Sequence, residues 1–277
     1  MPLPYIFRRA FDPLVPSVVI VLGASFGVYT FLHLLLVEWK PSLAFSLRHW
    51  SDANSARLLR YLGPISYKEG LPVVPSIVGQ ADRVVVDVGP GTGQNVRHFD
   101  REKITKLYLI EPNVGMHAEL EANLCKSGLS DIATVISCGV QDSMTLSSHG
   151  LSPCTADSVV TVNVLCCVAS QESACESLYS LLKPGGQWLV YEHVVAEPKY
   201  PIPRLLQQVY NIVWPFFLGR CNIKRDTAEV LKRTGTWESV DLGRKNGEGG
   251  WEMLGHIVGK LVKVRDHLPS YKPGNEV

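Results

Sequence analysis

The chain of 277 residues carries 27 basic and 26 acidic residues, and its formal net charge is +1. This balance excludes the strongly basic surface by which proteins bind nucleic acid backbones, so we expect no nucleic-acid partner. Hydrophobic residues make up 46% of the chain, which is enough for the packed core of one large domain with shorter appendages.

The first long apolar segment, Leu14 to Val37, contains no Asp, Glu, Lys or Arg over about 24 residues. As a helix it measures about 36 Å, which is enough to cross the hydrocarbon core of a bilayer. Arg8 and Arg9 precede it, and Trp39 follows as an interfacial anchor. We predict a membrane anchor within residues 1–40; a cleaved signal peptide and a buried core helix are the alternatives.

Residues 41–80 are predicted to connect this anchor to the main domain. The stretch SLRHWSDANSARLLRYLG is typical of a short amphipathic helix, with Ser51 or Asp52 as its cap. The Pro- and Gly-rich stretch GPISYKEGLPVVPSIVGQ that follows indicates a linker. The main domain is then expected over residues 81–263, with a loose tail over 264–277.

Within the main domain, short apolar segments alternate with amphipathic ones. RVVVDV, beginning at Arg83, has the branched side chains of a parallel strand covered on both faces. A helix is predicted directly after it, over GQNVRHF, and a second helix is closed by Gly128. The alternation predicts an α/β fold with a doubly wound, mostly parallel seven-stranded sheet. The other predicted strands are KLYLIE, IATVIS, SVVTVNVL, QWLVYEHV and a terminal antiparallel pair, WESVDL and LGHIVGKLVK.

A glycine-rich turn follows the first predicted strand. Gly89, Gly91 and Gly93 alternate in it, at a strand-to-helix turn where backbone amides face a ligand. Gln94 stands where a dinucleotide-binding turn has its third glycine, which argues against a nicotinamide-dependent reductase. Glu111 ends the next strand about 20 residues later, where a carboxylate can accept both ribose hydroxyls. We therefore predict a ligand that carries an adenosine-like ribose and no pyrophosphate.

The pattern Asp87-x-Gly89-x-Gly91-x-Gly93, followed by Glu111 and by LLKPGG before a strand, resembles the class I S-adenosylmethionine-dependent methyltransferases. The resemblance covers roughly residues 81–193 and implies S-adenosyl-L-methionine as cofactor. It implies that Asp87 and Gly89 lie near the methionine part and that Glu111, with Pro112 beside it, holds the ribose.

The same resemblance assigns two further segments to the cofactor site. In GVQDSM it implies that Gln141 or Asp142 lies by the adenine, although Asp142 could instead cap a helix. Asn163 to Cys166, at the end of the fourth predicted strand, would line the site under the sulfonium. Plain core packing is the alternative for Cys166.

A closer resemblance extends from about residue 84 to residue 263. DSVVTVNVLCCVASQ, LLKPGGQWLVYEHVVAE, GRCNIKRDT and WEMLGHIVGKLVK are similar to the methyltransferase-like seven family, membrane-associated alkyl-thiol methyltransferases with an N-terminal hydrophobic anchor. This implies a small lipophilic thiol as acceptor and an enzyme on the endoplasmic reticulum or lipid droplets, with its catalytic domain facing the cytosol. GPGTG replaces that family's cysteine-containing turn. Methylation of oxygen or carbon on a quinone or specialised metabolite therefore stays open, as does a non-catalytic cofactor-binding protein of the membrane surface.

Methyl transfer from a sulfonium is an in-line displacement, so positioning in a dry pocket supplies much of the catalysis. A thiol, with a pKa of about 8.5, is partly ionised at neutral pH, whereas a phenol, with a pKa of about 10, gains more from a base. His193, beside Glu192 at the end of the fifth predicted strand, is the candidate catalytic base. A hydrogen-bonded structural histidine is the alternative.

Two further features complete the expectations. The apolar and aromatic segment Tyr200 to Asn222 is predicted to form a lid that lies against the membrane; a helix packed on the sheet is the alternative. None of the seven cysteines forms a C-x-x-C pair, so we expect reduced, mostly buried thiols and no metal. The cysteines are Cys125, Cys138, Cys154, Cys166, Cys167, Cys175 and Cys221.

Overall fold

In the computed structural model, which describes residues 11–265, seven strands form a single sheet. Arg8, Arg9 and the predicted tail from residue 266 onward lie outside the described residues. The strands are β1 (Arg83–Val88), β2 (Ile104–Ile110), β3 (Ala133–Ile136), β4 (Ala156–Val162), β5 (Leu182–Val194), β6 (Trp237–Arg244) and β7 (Gly255–Lys263).

Across the sheet the strands are ordered β3-β2-β1-β4-β5-β7-β6. Parallel pairing joins the first five strands along the chain, and β7 runs antiparallel to both β5 and β6. The strand order reverses between β1 and β4, which is where a doubly wound sheet opens a ligand crevice at the carboxyl ends of its strands. The predicted sheet and its terminal antiparallel pair are thus confirmed.

Ten α-helices lie within the described residues. They are α1 (Val15–Leu36), α2 (Pro41–Ala44), α3 (Leu47–Gly70), α4 (Val74–Val78), α5 (His117–Lys126), α6 (Ser143–Ser148), α7 (Gln171–Leu181), α8 (Pro201–Tyr210), α9 (Trp214–Phe217) and α10 (Thr227–Arg233). Short 3-10 turns cover Asp12–Leu14, Val96–His98 and Val114–Met116.

The core lies on both faces of the sheet because alternate strand residues point to opposite sides. Val86 and Trp188 belong to a buried cluster on one face, together with Leu178 of α7. Val85 and Leu189 belong to a second buried cluster on the other face. This double coverage explains why β1, β4 and β5 are near-continuous apolar runs.

The segment after β1 differs from the predicted helix over GQNVRHF. It forms successive turns that end in the three-residue 3-10 turn Val96–His98. The amide of Gly93 donates to the carbonyl of Pro90, and the amide of Val96 donates to the carbonyl of Gly93, so these carbonyls are used within turns. Val96 is buried, which fixes this compact path against the sheet.

The predicted connector also differs, because α3 continues through Pro64 to Gly70 and occupies much of the expected linker. A proline inside a helix costs a hydrogen bond, and contacts with the domain offset that cost. The Tyr67 hydroxyl lies 3.0 Å from Nε2 of His98 and the two rings stack. Ser46, rather than Ser51 or Asp52, occupies the N-cap position.

Helix α1 lies along the domain over its whole length. Small residues form its inner face, where the indole Nε1 of Trp50 donates to the carbonyl of Gly27 at 3.0 Å. A Cβ atom on Gly23 would lie 2.8 Å from Cβ of Phe217 in α9, so the helices are in close contact. The apolar helix Asp12–Leu36 is also long and hydrophobic enough to cross a membrane, by length and composition alone.

Candidate active site

The glycine turn after β1 forms the floor of the candidate site. Gly89, Gly91 and Gly93 all have positive φ angles, of 60°, 58° and 77°. A side chain on Gly89 would collide with Val164, because the turn passes close under the loop that follows β4. A Cβ atom on Gly91, in contrast, would have only Sδ of Met116 within 4 Å, at 3.6 Å, among the described residues other than its chain neighbours. The turn therefore opens at Gly91, where a ligand can approach the backbone.

Glu111 closes the adjacent side of this opening at the end of β2. Its carboxylate is buried and accepts hydrogen bonds from the amides of Gly91, at 3.0 Å, and Asn113, at 2.8 Å. Burial raises the pKa of Glu111, and the two amides partly oppose that shift. Pro112 follows in an exposed position. The carboxylate thus lies at the turn, as the ribose-binding prediction requires.

Asp87 adds a second buried carboxyl group near the end of β1. It is 5% exposed, and burial together with the neighbouring Glu111 raises its pKa to about 7. Two acidic groups in a water-poor region favour a cationic ligand, because a positive charge relieves the repulsion between them. The ammonium and sulfonium groups of S-adenosylmethionine fit this charge requirement.

Asn163 follows β4 in a left-handed conformation, with a φ of 54°, next to Val164, which packs on the glycine turn at Gly89. Its side-chain nitrogen donates to Oγ of Ser66 in α3 at 3.5 Å. Its Oδ1 atom is buried and accepts no hydrogen bond from any described residue. Such an orphaned acceptor is costly unless a ligand donates to it, so the residues present fit the predicted cofactor.

The segment predicted to lie by the adenine contains Gln141 and Asp142, whose side chains have different hydrogen-bond partners. The carboxylate of Asp142 accepts hydrogen bonds from the amide and hydroxyl of Thr145, at 3.1 and 2.7 Å, and caps α6. These bonds lower the pKa of Asp142, and they establish the capping interpretation. Gln141 is exposed and its Nε2 donates to the carbonyl of Ser170 at 3.4 Å. Contact of either residue with adenine stays a prediction.

His193 lies at the end of β5 and stacks against His256 of β7, with ring centroids 4.4 Å apart. The Nδ1 atom of His256 lies 2.9 Å from the Glu248 carboxylate, whereas Nδ1 of His193 is buried without a hydrogen bond to any described residue. Burial lowers the pKa of His193 to about 4, so the ring is neutral at physiological pH. It is a weak proton acceptor there, and its catalytic role stays a prediction.

Glu192 has a structural function that its sequence position did not reveal. Its buried carboxyl group accepts hydrogen bonds from the amides of Val164 and Leu165, both at 3.1 Å. Burial raises its pKa to about 8. Glu192 therefore shapes the loop after β4 that approaches Gly89.

Two segments cover the site: α3, which the sequence did not place there, and the segment of α8 and α9, which lies within the predicted lid Tyr200 to Asn222. Helix α3 covers the glycine turn, since a Cβ atom on its Gly63 would lie 2.8 Å from Nε2 of Gln94. The segment of α8 and α9 covers the ends of β4 and β5, where Trp214 is buried with Cys166. Gln207 fixes that cover by accepting from the amide of Ala196 at 2.9 Å.

The sheet order, the glycine turn and the carboxylate at the end of β2 together define a class I S-adenosylmethionine-dependent methyltransferase. Residues 47–233 match the family model described as "Methyltransferase domain", which spans more than half of the chain. The chain therefore belongs to this methyltransferase family, as its motifs predicted.

Curated relatives refine the comparison. The thiol S-methyltransferase TMT1A of Homo sapiens is 27% identical over 181 residues, covering 65% of this chain and 70% of the relative. The thiol S-methyltransferase TMT1B of Rattus norvegicus is 25% identical over 236 residues, covering 84% of this chain and 93% of the relative. The chain is thus homologous to thiol S-methyltransferases at low identity.

Solved structures share the fold. An O-methyltransferase family protein from Burkholderia thailandensis superposes with a TM-score of 0.57 at 14% identity, covering 90% of this chain and 72% of that chain. The N-methyltransferase NodS from Bradyrhizobium japonicum, in complex with S-adenosyl-L-homocysteine, gives a TM-score of 0.50 at 9% identity, covering 72% of this chain and 87% of that chain. At these identities the likeness establishes the fold alone.

Proposed function

We propose that this methyltransferase transfers the methyl group of S-adenosylmethionine to a small lipophilic thiol at a membrane surface. The similarity to two thiol S-methyltransferases over most of the chain carries the thiol assignment. The apolar cluster of Cys166, Trp214, Cys221 and Ile223 beyond the end of β4, against which residues of the apolar helix α1 pack, supports a lipophilic acceptor.

The chain's own residues would hold the cofactor around the opening at Gly91. Glu111 would accept the ribose hydroxyls, and Asp87 with the unpaired Oδ1 of Asn163 would face the methionine part. Pro112 would lie beside the ribose, and Gln141 or Asp142 remains the proposed adenine side. The bound cofactor supplies an electrophilic methyl group, and the protein orients it and excludes water.

The acceptor side supports a thiol over a phenol. His193 and Glu192 are the titratable groups that end β5, and neither is an efficient proton acceptor at neutral pH. The buried imidazole is a weak base, and the Glu192 carboxyl group is already occupied by two backbone amides. A thiol needs less help because part of it is ionised without a base.

The membrane assignment rests on the outward face of α1. Its inner face docks on the domain through small residues, whereas the opposite face exposes large apolar side chains. A helix that is apolar on both faces, with one face uncovered, fits a lipid environment better than water. The outward apolar residues are Val18, Val21, Val28, Tyr29, Leu32 and Leu36.

Helix α8 extends this surface next to the start of α1. The Tyr210 hydroxyl lies 2.7 Å from Oγ of Ser17 and donates to the carbonyl of Pro13 at 3.0 Å. Exposed apolar residues recur at helical spacing along α8 and just beyond it: Ile202, Leu205, Val209 and Ile212. We propose that both helices contact the bilayer of the endoplasmic reticulum or a lipid droplet, with the domain on the cytosolic side.

An acceptor panel tests the proposed substrate class. Alkyl thiols, phenols and quinols of matched lipophilicity are supplied singly to the detergent-solubilised chain with S-adenosylmethionine, and methylated products are identified by mass spectrometry. We expect thioethers to form at least tenfold faster than ethers or C-methylated products. Phenol methylation without thioether formation would replace the thiol assignment by O-methylation.

A further inference from the structure

We propose that Cys166, Cys167 and Cys221 form a three-thiolate site for Zn²⁺, whose fourth coordination position takes the acceptor thiol. The role of the fourth position rests on the proposed function. The metal site itself departs from the expectation of no metal that the cysteine spacing gave.

The fold brings the three sulfur atoms into one place from two distant segments. Their Sγ atoms all lie within 4.8 Å of one another, and those of Cys166 and Cys167 are 3.5 Å apart. With Zn–S bonds of about 2.3 Å, tetrahedral geometry separates two sulfur ligands by about 3.8 Å. The sulfurs therefore need to move by only about 1 Å to bind one ion.

Backbone contacts hold these segments together. The amide of Asn222, next to Cys221, donates to the carbonyl of Cys166 at 2.9 Å. The Glu192 carboxyl group accepts a hydrogen bond from the amide of Leu165, next to Cys166, and so holds the loop that carries Cys166 and Cys167. The site is thus positioned by the loop after β4 and by the turn after α9, although no short motif in the sequence joins them.

The surroundings of the thiols suit a soft metal ion. Cys166 and Cys221 are buried against Trp214 and Ile223, whereas Cys167 is partly exposed. A second group of potential ligands, which includes Glu69 and Glu248, differs because Nζ of Lys245 already lies 3.0 Å from Glu69 and 3.8 Å from Glu248. The carboxylates of that second group are therefore already paired with the ammonium of Lys245. The three cysteines have no such cationic partner among the described residues.

The position of the cluster connects it to methyl transfer. Sγ of Cys166 lies 3.7 Å from the carbonyl oxygen of Asn163, which borders the proposed cofactor site. Three protein ligands with one open position are the arrangement of catalytic rather than structural zinc sites. A thiol that enters the open position loses its proton to solvent, because metal coordination strongly favours the thiolate.

The methyl transfer then needs no protein base, because the acceptor has already lost its proton on binding the metal. The acceptor sulfur uses a lone pair to form a bond to the methyl carbon of S-adenosylmethionine. The bond between that carbon and the sulfonium sulfur breaks, and its electron pair returns to the sulfur of S-adenosylhomocysteine. The product is a neutral thioether, a poorer ligand than a thiolate, and it leaves.

Cobalt binding tests the site without an activity readout. The reduced full chain in detergent is freed of metal and titrated anaerobically with Co²⁺, whose absorption reports thiolate ligands and tetrahedral geometry. We expect one Co²⁺ per chain, displaced by Zn²⁺, and at least tenfold weaker binding in Cys166→Ser and Cys221→Ser. Cys125→Ser, which changes an exposed cysteine of α5, should bind as the unchanged chain does.

Binding of S-adenosylhomocysteine by calorimetry shows which variants are folded. A small alkyl thiol should shift the cobalt spectrum, and a phenol should leave it unchanged. No cobalt binding, binding that survives Cys221→Ser, or a spectrum that ignores the thiol would each overturn the inference. Full thiol methylation by metal-free protein would also overturn it while leaving the proposed function intact. A thiol-dependent spectral shift without any methylated thiol would support the metal site and defeat the proposed function.

Discussion

The backbone amide of Gly91 donates a hydrogen bond to the carboxylate of Glu111 at 3.0 Å. The bond joins the turn after β1 to the end of β2, because parallel neighbouring strands bring their carboxyl ends to one edge of the sheet. It places an acidic acceptor beside the opening in the glycine turn. Ligand binding is therefore expected to depend on both residues.

Gly91→Val should abolish cofactor binding, because the branched side chain enters the opening where Met116 is the nearest neighbour. The valine also strains a backbone with a φ of 58°. Gly128→Val is the matched control, since Gly128 has a φ of 66° and no described atom within 4 Å of its added Cβ. Calorimetry with S-adenosylhomocysteine compares the two. Equal affinities in both variants would place the cofactor elsewhere.

Glu111→Gln should weaken cofactor binding by about tenfold to a hundredfold, as expected for hydrogen bonds to a charged group worth about 1.5–3 kcal/mol. The amide side chain cannot accept at both positions, so the amide of Gly91 or Asn113 also loses its partner. Glu121→Gln, an exposed change on α5, is the control. A dissociation constant that is the same in both variants would remove Glu111 from the ribose site.

The affinity for S-adenosylmethionine should rise with pH and level off above about pH 7. In the ligand-free protein the pKa of Asp87 is raised to about 7, and a bound cation lowers it, so binding releases a proton. Below that pH the loss approaches tenfold per pH unit for one proton. Calorimetry from pH 5.5 to 8.5 measures this slope, which Asp87→Asn should abolish. A slope of the same size in the variant would assign the proton to another group.

Gly27→Leu should lower the thermal stability of the chain in detergent. A Cβ atom at Gly27 would lie 2.9 Å from Cζ2 of Trp50, so the larger side chain forces α1 away from α3 at a cost of about 1–3 kcal/mol. Val28→Leu on the outward face should change little, and both variants should still sediment with membranes. An unchanged melting temperature for Gly27→Leu would contradict the packing of α1 on α3 in the detergent-solubilised chain.

The sheet and the cofactor turn were predictable because their signals are local. Branched apolar residues in short runs indicate β1 and β4, and the spacing of Gly89, Gly91 and Gly93 before Glu111 requires a turn and a carboxylate at one sheet edge. A helix was predicted over the first part of α3, but its continuation to Gly70 escaped prediction because Pro64 normally interrupts helices. Contacts with distant residues, such as the stacking of Tyr67 on His98, stabilise this continuation.

Other parts of the site depend on long-range register. His193 meets His256 because β5 and β7 pair antiparallel in a register that no local pattern specifies. Cys221 joins Cys166 only after α8 and α9 have folded over the strand ends. The burial that lowers the pKa of His193 is likewise a property of the packed structure, so the sequence could nominate this residue as a base but not establish its strength.

Thiol methylation is tested most directly by S-adenosylhomocysteine release from the detergent-solubilised full chain, with a small alkyl thiol as sole acceptor. We predict release that requires the thiol, that matches the thioether formed one for one, and that falls sharply in Gly91→Val but not in Gly128→Val. Release that proceeds equally without the thiol, or that appears only with phenols, would contradict thiol methylation as the function of this protein.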